Sequence, residues 1–147
     1  MKTTKCFQPR KSQRLARAVA FASIAAASTA SADFHLWNIA EVFTSADGKV
    51  QFIELETSSE GQQNISDHTL VAIATAGAAQ QSITFPSDLS GSTAGKRLLL
   101  GTQGFSDLTG LAPDLIIPES FVATEGGSLN FANGTSTISY TAEQLPK

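Results

Sequence analysis

Cysteine is almost missing: Cys6 is the single one in 147 residues, so the chain closes no internal disulfide and its stability must come from packing. Histidine is scarce too. His35 and His68 stand far apart, which excludes the close spacing of a zinc site of the H-E-x-x-H kind. No G-x-S-x-G occurs, so a serine nucleophile has no elbow context and no adjacent base. No apolar run approaches the roughly 20 residues that cross a bilayer. The longest candidate, Ala18 to Ala27 broken only by Ser23, is about half that and rich in alanine.

Basic residues are also missing, but only from most of the chain. Lys2, Lys5, Arg10, Lys11, Arg14 and Arg17 crowd the first segment without an acid, and the apolar run follows directly. Ala30 and Ala32 then supply the small-x-small pattern that a signal peptidase accepts before Asp33. Residues 1–32 are therefore expected to be a helical secretory signal, and residues 33–147 a single domain exported to the periplasm or beyond the cell. Cys6 leaves with the signal. After Ala32 all 13 acids remain against Lys49, Lys96, Arg97 and Lys147, a net charge of −9 where the precursor has −3. A surface of that sign repels phosphate backbones and anionic headgroups, so neither a nucleic-acid partner nor membrane insertion after cleavage is expected.

What remains reads as short strands. The stretch Val50 to Thr57 alternates, with Ile53 and Leu55 on one face and Phe52, Glu54 and Glu56 on the other. Phe34 to Phe43 precedes it across an Asp47-Gly48 turn signal. A two-residue loop there sets Glu41 opposite Glu54, which is repulsive; a three-residue Ala46-Asp47-Gly48 loop avoids this and is the expected one. Leu70 to Ala74 is an apolar run suited to a strand buried on both faces. Gln81 to Phe85 alternates and stops at Pro86; Ser87 to Gly95 is a loop; Lys96 to Gly101 returns as a strand. Gly104 to Pro118 is irregular, its Gly110, Pro113 and Pro118 forbidding a long helix, with Leu115-Ile116-Ile117 turned inward as a loop or short strand. The last hairpin flanks Asn133-Gly134, with Leu129 opposite Ile138 and Phe131 opposite Ser136. Short strands with turn chemistry between them and no helical periodicity after Ala32 predict an all-β fold, an antiparallel sandwich or partly open barrel. Trp37 is expected in the core or at its rim.

The order of several pieces is more specific than the composition. Asn38-Ile39-Ala40-Glu41-Val42, Phe52-Ile53-Glu54-Leu55, Ser66-Asp67-His68-Thr69-Leu70, Phe85-Pro86, Gly95-Lys96-Arg97-Leu98, Gly127-Ser128-Leu129-Asn130-Phe131, Asn133-Gly134 and Ile138-Ser139-Tyr140 together resemble the lamin tail domain family, especially its bacterial secreted members. The resemblance covers Phe34 to Tyr140. It implies an immunoglobulin-like β-sandwich without catalytic residues, a module found beside exported enzymes or in cell-surface parts. The chain departs from the family pattern in three places. Thr57 stands where an Asn is usual, the aromatic often found near His68-Thr69 is missing, and the chain stops at Lys147 where an arginine- and proline-containing segment is usual. The resemblance thus implies a sandwich without that last strand, or one completed differently.

Three chemistries can be weighed on residues. Gly91-Ser92-Thr93-Ala94-Gly95-Lys96 imitates a phosphate loop but is one residue short, has Arg97 in the place of the magnesium-binding hydroxyl, and precedes a strand. Glu41, Glu54 and Glu56, with Glu60 beyond, could be glycosidase carboxyls only if two of them flanked a sugar cleft about 5–10 Å apart. Calcium needs six to eight oxygens from a shaped loop, roughly, and no such pattern is written here. No catalytic, cofactor-binding or metal-binding residue is therefore assigned and no cofactor expected. The expected role is binding of a protein or glycan partner, or surface structure, through loops such as Ser58 to Asn64 and Ser87 to Gly95. The alternatives are a small hydrolase on the acidic face and a calcium-stabilised module.

Overall fold

A computed structural model describes residues 36–75 and 80–145. The expected signal segment, His35 and the start of the first strand lie outside the described residues. Among the described residues eight strands form two four-stranded sheets. Sheet A is ordered β1 (Asn38–Thr44), β2 (Gln51–Thr57), β5 (Lys96–Gly101), β6 (Leu115–Ile116); sheet B is ordered β4 (Gln80–Thr84), β3 (Thr69–Ala74), β7 (Gly126–Phe131), β8 (Ser136–Thr141). Both contribute to one core. Ile39, Ile53, Leu55, Leu98 and Leu100 of sheet A join Leu70, Ala72, Leu129, Phe131 and Tyr140 of sheet B in a single buried cluster. The arrangement is β-sandwich-like, and alternation along each strand accounts for it: β2 buries Ile53 and Leu55 completely and leaves Phe52, Glu54 and Glu56 half-buried on its other side. At one long side the sheets are tied edge to edge, where the Ile39 N–H donates to Ser136 Oγ at 3.0 Å.

The last hairpin has the register expected from Asn133-Gly134, with Leu129 opposite Ile138 and Phe131 opposite Ser136. The first hairpin does not. Glu41 pairs with Glu54, Phe43 with Phe52 and Thr44 with Gln51, the register that the three-residue loop was meant to avoid. Two observations explain the correction. The connection is held by its own bonds, since the Ser45 N–H donates to Val50 O at 2.8 Å, Asp47 Oδ1 accepts from Ser45 Oγ at 2.7 Å and Ser45 Oγ accepts from Val50 N at 3.0 Å. The repulsion is offset from outside the hairpin, because Arg97 on β5 bridges both Glu54 and Glu56. A register shift between Ile39 and Glu41 inserts Ala40 as an extra residue, so Ile39 turns into the core while Glu41 stays outside.

Three further expectations are corrected. β3 is covered on one face only: Leu70 and Ala72 are buried, whereas Ile73 is 41% exposed. A helix, α1 (Gln103–Thr109), occupies part of the stretch read as irregular. Thr102 caps its start by accepting from the Phe105 N–H at 3.2 Å, and Gly110 ends it in the left-handed conformation with φ 71°. That helix is the crossover that brings β6 alongside β5 in parallel, so sheet A is not purely antiparallel. The inward turn expected of Leu115-Ile116-Ile117 holds only in part: Ile117 is buried after β6 and Leu115 half-buried, but Ile116 is 51% exposed.

Candidate binding site

The two loops singled out from sequence meet at one end of the sandwich. Glu60 reaches across to the second loop, where Oε1 accepts from Ser92 Oγ at 2.6 Å and Oε2 from the Thr93 N–H at 3.3 Å. Thr93 is fully buried and completes the link: its hydroxyl donates to Ser59 O at 2.8 Å and accepts from the Gln62 N–H at 3.0 Å. Gln63 adds Nε2 to Gly91 O at 3.2 Å, and its own carbonyl accepts from the Leu89 N–H at 3.0 Å. The Trp37 indole, fully buried, donates to Gln62 O at 3.0 Å and fastens the first loop to the core. Loops usually carry mobile backbone, but here the Ser59, Gln63 and Gly91 carbonyls and the Gln62, Leu89 and Thr93 amides are each bonded across to the other loop.

Beside these loops lies a cleft of ≈ 230 Å³ lined by Asn38, Glu56, Thr57, Ser58, Gly95, Lys96 and Arg97. Its chemistry is that of a hydrogen-bonding surface. Lys96 Nζ already donates to Ser90 O at 3.2 Å and has further donors to give, Arg97 is anchored by Glu54 and Glu56, and Asn38 carries both a donor and an acceptor. Positive and negative groups balance locally. This favours a neutral polyhydroxylated ligand or a peptide backbone over a strongly charged one.

Of the acidic residues weighed from sequence, Glu41 and Glu54 lie opposite each other on the outer face of sheet A. Glu54 and Glu56 are tied to one guanidinium, Glu60 is spent on the loop junction, and of the acids only Glu56 lines the cleft. The phosphate-loop imitation is a turn into β5, with Gly91 and Gly95 at φ 75° and 68°, and offers no helix start to an anion. His68 belongs to the turn before β3, its N–H donating to Ile65 O at 3.2 Å and its carbonyl accepting from the Phe85 N–H at 2.9 Å. Among the described residues no three His, Cys, Asp or Glu side chains converge.

At the opposite end, a cavity of ≈ 340 Å³ is lined by residues including Asp47, Gln81, Ser120, Phe121 and Glu125. Asp47 is held below the usual carboxylate pKa chiefly by the Ser45 hydroxyl, then by the Lys49 N–H. Nearby, burial pushes the Tyr140 phenol above its ordinary value, against a weak pull from the Ala123 backbone and with a further push from the Glu125 charge. Its buried hydroxyl finds no hydrogen-bond partner of good geometry. Sequence reasoning missed the two polar side chains that organise this end, Gln51 and Thr102, both fully buried. The available signal was a polar residue at each inward position of an alternating strand or its continuation, where an apolar one is the norm.

Comparison of the chain with models of known protein families, and with curated proteins, finds no match.

Proposed function

We propose that the chain is an exported, non-enzymatic module of the bacterial lamin tail type, with an immunoglobulin-like sandwich, that binds a protein or glycan at its paired loops. One observation carries this reading: loops 58–64 and 87–95, distant in sequence, are locked together by Glu60, Ser92 and Thr93 beside a polar cleft. A surface ordered before a ligand arrives loses little further entropy on binding. The Arg97 bridge supports the non-enzymatic half, because it engages both the Glu54 and the Glu56 carboxylate with one guanidinium.

The test is a binding screen of the purified protein on a polysaccharide array and against exported proteins of the producing cell, run beside a panel of chromogenic glycosides. Expected are a bound glycan or protein whose affinity falls about tenfold in an Asn38→Ala, Lys96→Ala variant of unchanged melting temperature, and no turnover. Turnover that disappears in Glu54→Gln or Glu56→Gln overturns the reading. Export is tested by sequencing the amino terminus of the protein recovered from the producing cell: a start at Asp33 supports it, and a retained Met1 refutes it.

A further inference from the structure

The outer face of sheet A is divided along its length. At the loop end it carries Glu54, Glu56 and Arg97, but at the other end the same sheet carries aromatics. Phe43 stacks on Phe52 with centroids 5.6 Å apart, and Phe52 meets Phe105 of α1 at 5.3 Å. Gly101, opposite Phe52 in the ladder, lets the helix settle there, since a Cβ on it would lie 2.9 Å from Phe105 Cδ1 and 2.9 Å from Pro113 Cγ. Ile116 pairs with Gly101 and so borders the same ground.

This packing leaves an apolar rim uncovered. Leu108, one helical turn beyond Phe105, is 73% exposed, Leu111 is 56% exposed and Ile116 51% exposed. Scattered exposed leucines need no explanation, but three large apolar side chains within residues 108–116, around an aromatic patch, mark an interaction surface. Asp107 and Asp114 flank it, both exposed, and no Lys, Arg or His occurs between Arg97 and Lys147; the exposed Lys49 stands at the start of α1, where its carbonyl accepts from Thr102 Oγ1 at 2.7 Å. β6 is also the edge strand of sheet A among the described residues.

We propose that this face docks a segment of a partner protein that presents apolar side chains flanked by Lys or Arg. Charge complementarity decides among occupants. A second copy meeting the face isologously sets Asp107 and Asp114 against their own counterparts, and an anionic membrane meets the same repulsion. A segment with basic flanks turns those carboxylates into attraction, speeding encounter and fixing orientation, while the leucines supply the buried centre. The surface lies on α1 and β6, away from the paired loops, and goes beyond the role proposed for them.

The test places a photo-reactive amino acid at Leu111 of the full chain in the producing cell, with the exposed Thr137 of sheet B as control position. The cross-linked segment is identified by mass spectrometry, synthesised as a peptide and titrated against the protein. The expected segment belongs to another protein and is apolar with basic flanks. Its affinity falls at least about tenfold in Leu108→Ser, Leu111→Ser and about threefold in Asp107→Lys, and weakens with salt. Asn38→Ala, Lys96→Ala leaves that affinity unchanged, which separates this surface from the loop site. Cross-linking to a second copy, to lipid, to a segment without basic flanks, or at no more than the Thr137 level overturns the proposal.

Discussion

Gln51 is the residue whose replacement tests the fold most sharply. Its side chain is fully buried and makes three bonds: Oε1 accepts from the Val122 N–H at 3.0 Å, and Nε2 donates to Val122 O and to Thr44 Oγ1, each at 2.7 Å. The amide thereby acts as a strand partner for Val122, a residue in a connection without a ladder of its own. Replacing it by Ala leaves two buried backbone groups without partners, at about 1–3 kcal/mol each, and opens a small cavity besides. A loss of about 3–5 kcal/mol is expected, a large share of the roughly 5–15 kcal/mol that holds a domain of this size. The melting temperature should fall on the order of 15–25 °C.

Gln51→Glu makes a finer test, because the shape is kept and only the donor is exchanged for a charge. The introduced carboxylate faces Val122 O, and its folded pKa rises above the unfolded value of about 4.3. Stability is then fully present below that value and lost as pH rises through the folded pKa, where the neutral acid can no longer donate. Urea melts of this variant should show a higher midpoint at pH 4 than at pH 7, to a degree that the parent does not. An Ala variant within about 1 kcal/mol of the parent, or a Glu variant indifferent to pH, refutes the role assigned to the amide.

Gly127→Ala places a Cβ 2.3 Å from Ile73 O, so it must part β3 from β7, and circular-dichroism melts should show a loss of several kcal/mol, on the order of a major core lesion. Arg97→Met removes the bridge between Glu54 and Glu56; with Arg97 62% exposed the loss should stay below about 1 kcal/mol and shrink in high salt, as denaturant titrations at two ionic strengths can check. Tyr140→Phe removes a buried hydroxyl that makes no hydrogen bond of good geometry and should leave the protein as stable or about 1 kcal/mol more so. Because the folded Tyr140 pKa is raised, its contribution is complete below the unfolded value and lost as pH rises through the folded one, so the variant should lose less stability in strong alkali. Asp47 is shifted the other way: its contribution is present above the unfolded pKa and lost as pH falls through the folded one, so Asp47→Asn should flatten the acid limb of the stability profile.

What could be read from residues was what is decided locally. Ile53 and Leu55, and Leu129 and Phe131, alternate with polar neighbours, and each pair faces the core. The Asn133-Gly134 register came out as expected because the turn and its strands are contiguous. The first hairpin failed on a force that no local window contains. Arg97, more than forty residues on, answers the carboxylates whose repulsion argued against the register found. Helix α1 was hidden by Gly104 within it, although Thr102 and Gly110 bracket it as its caps. The apolar run of β3 misled in another way: Val71 and Ile73 suit a strand whether or not anything covers them, and on this sheet the outer face is open. The paired loops were named separately from sequence, but their joining depends on Glu60 meeting Ser92, a contact that only the sandwich brings about.

The same contrast bears on where function can reside. Among the described residues the interior is one apolar cluster, and of the polar side chains buried beside it Gln51, Thr93 and Thr102 are bonded to backbone. The two surfaces proposed for binding lie outside it, at the loop end and on the face bearing α1. These two surfaces differ in kind. The first is polar, locally neutral and held by hydrogen bonds; the second is apolar and rimmed by Asp107 and Asp114. Salt distinguishes them, because screening weakens attraction between opposite charges far more than hydrogen bonds formed in a narrow cleft. A ligand held at Asn38 and Lys96 should keep its affinity between low and moderate ionic strength, whereas a basic segment at Leu111 should lose part of its own. Measured with both variants in the same buffers, identical salt responses at the two surfaces would show that this division of the molecule is wrong.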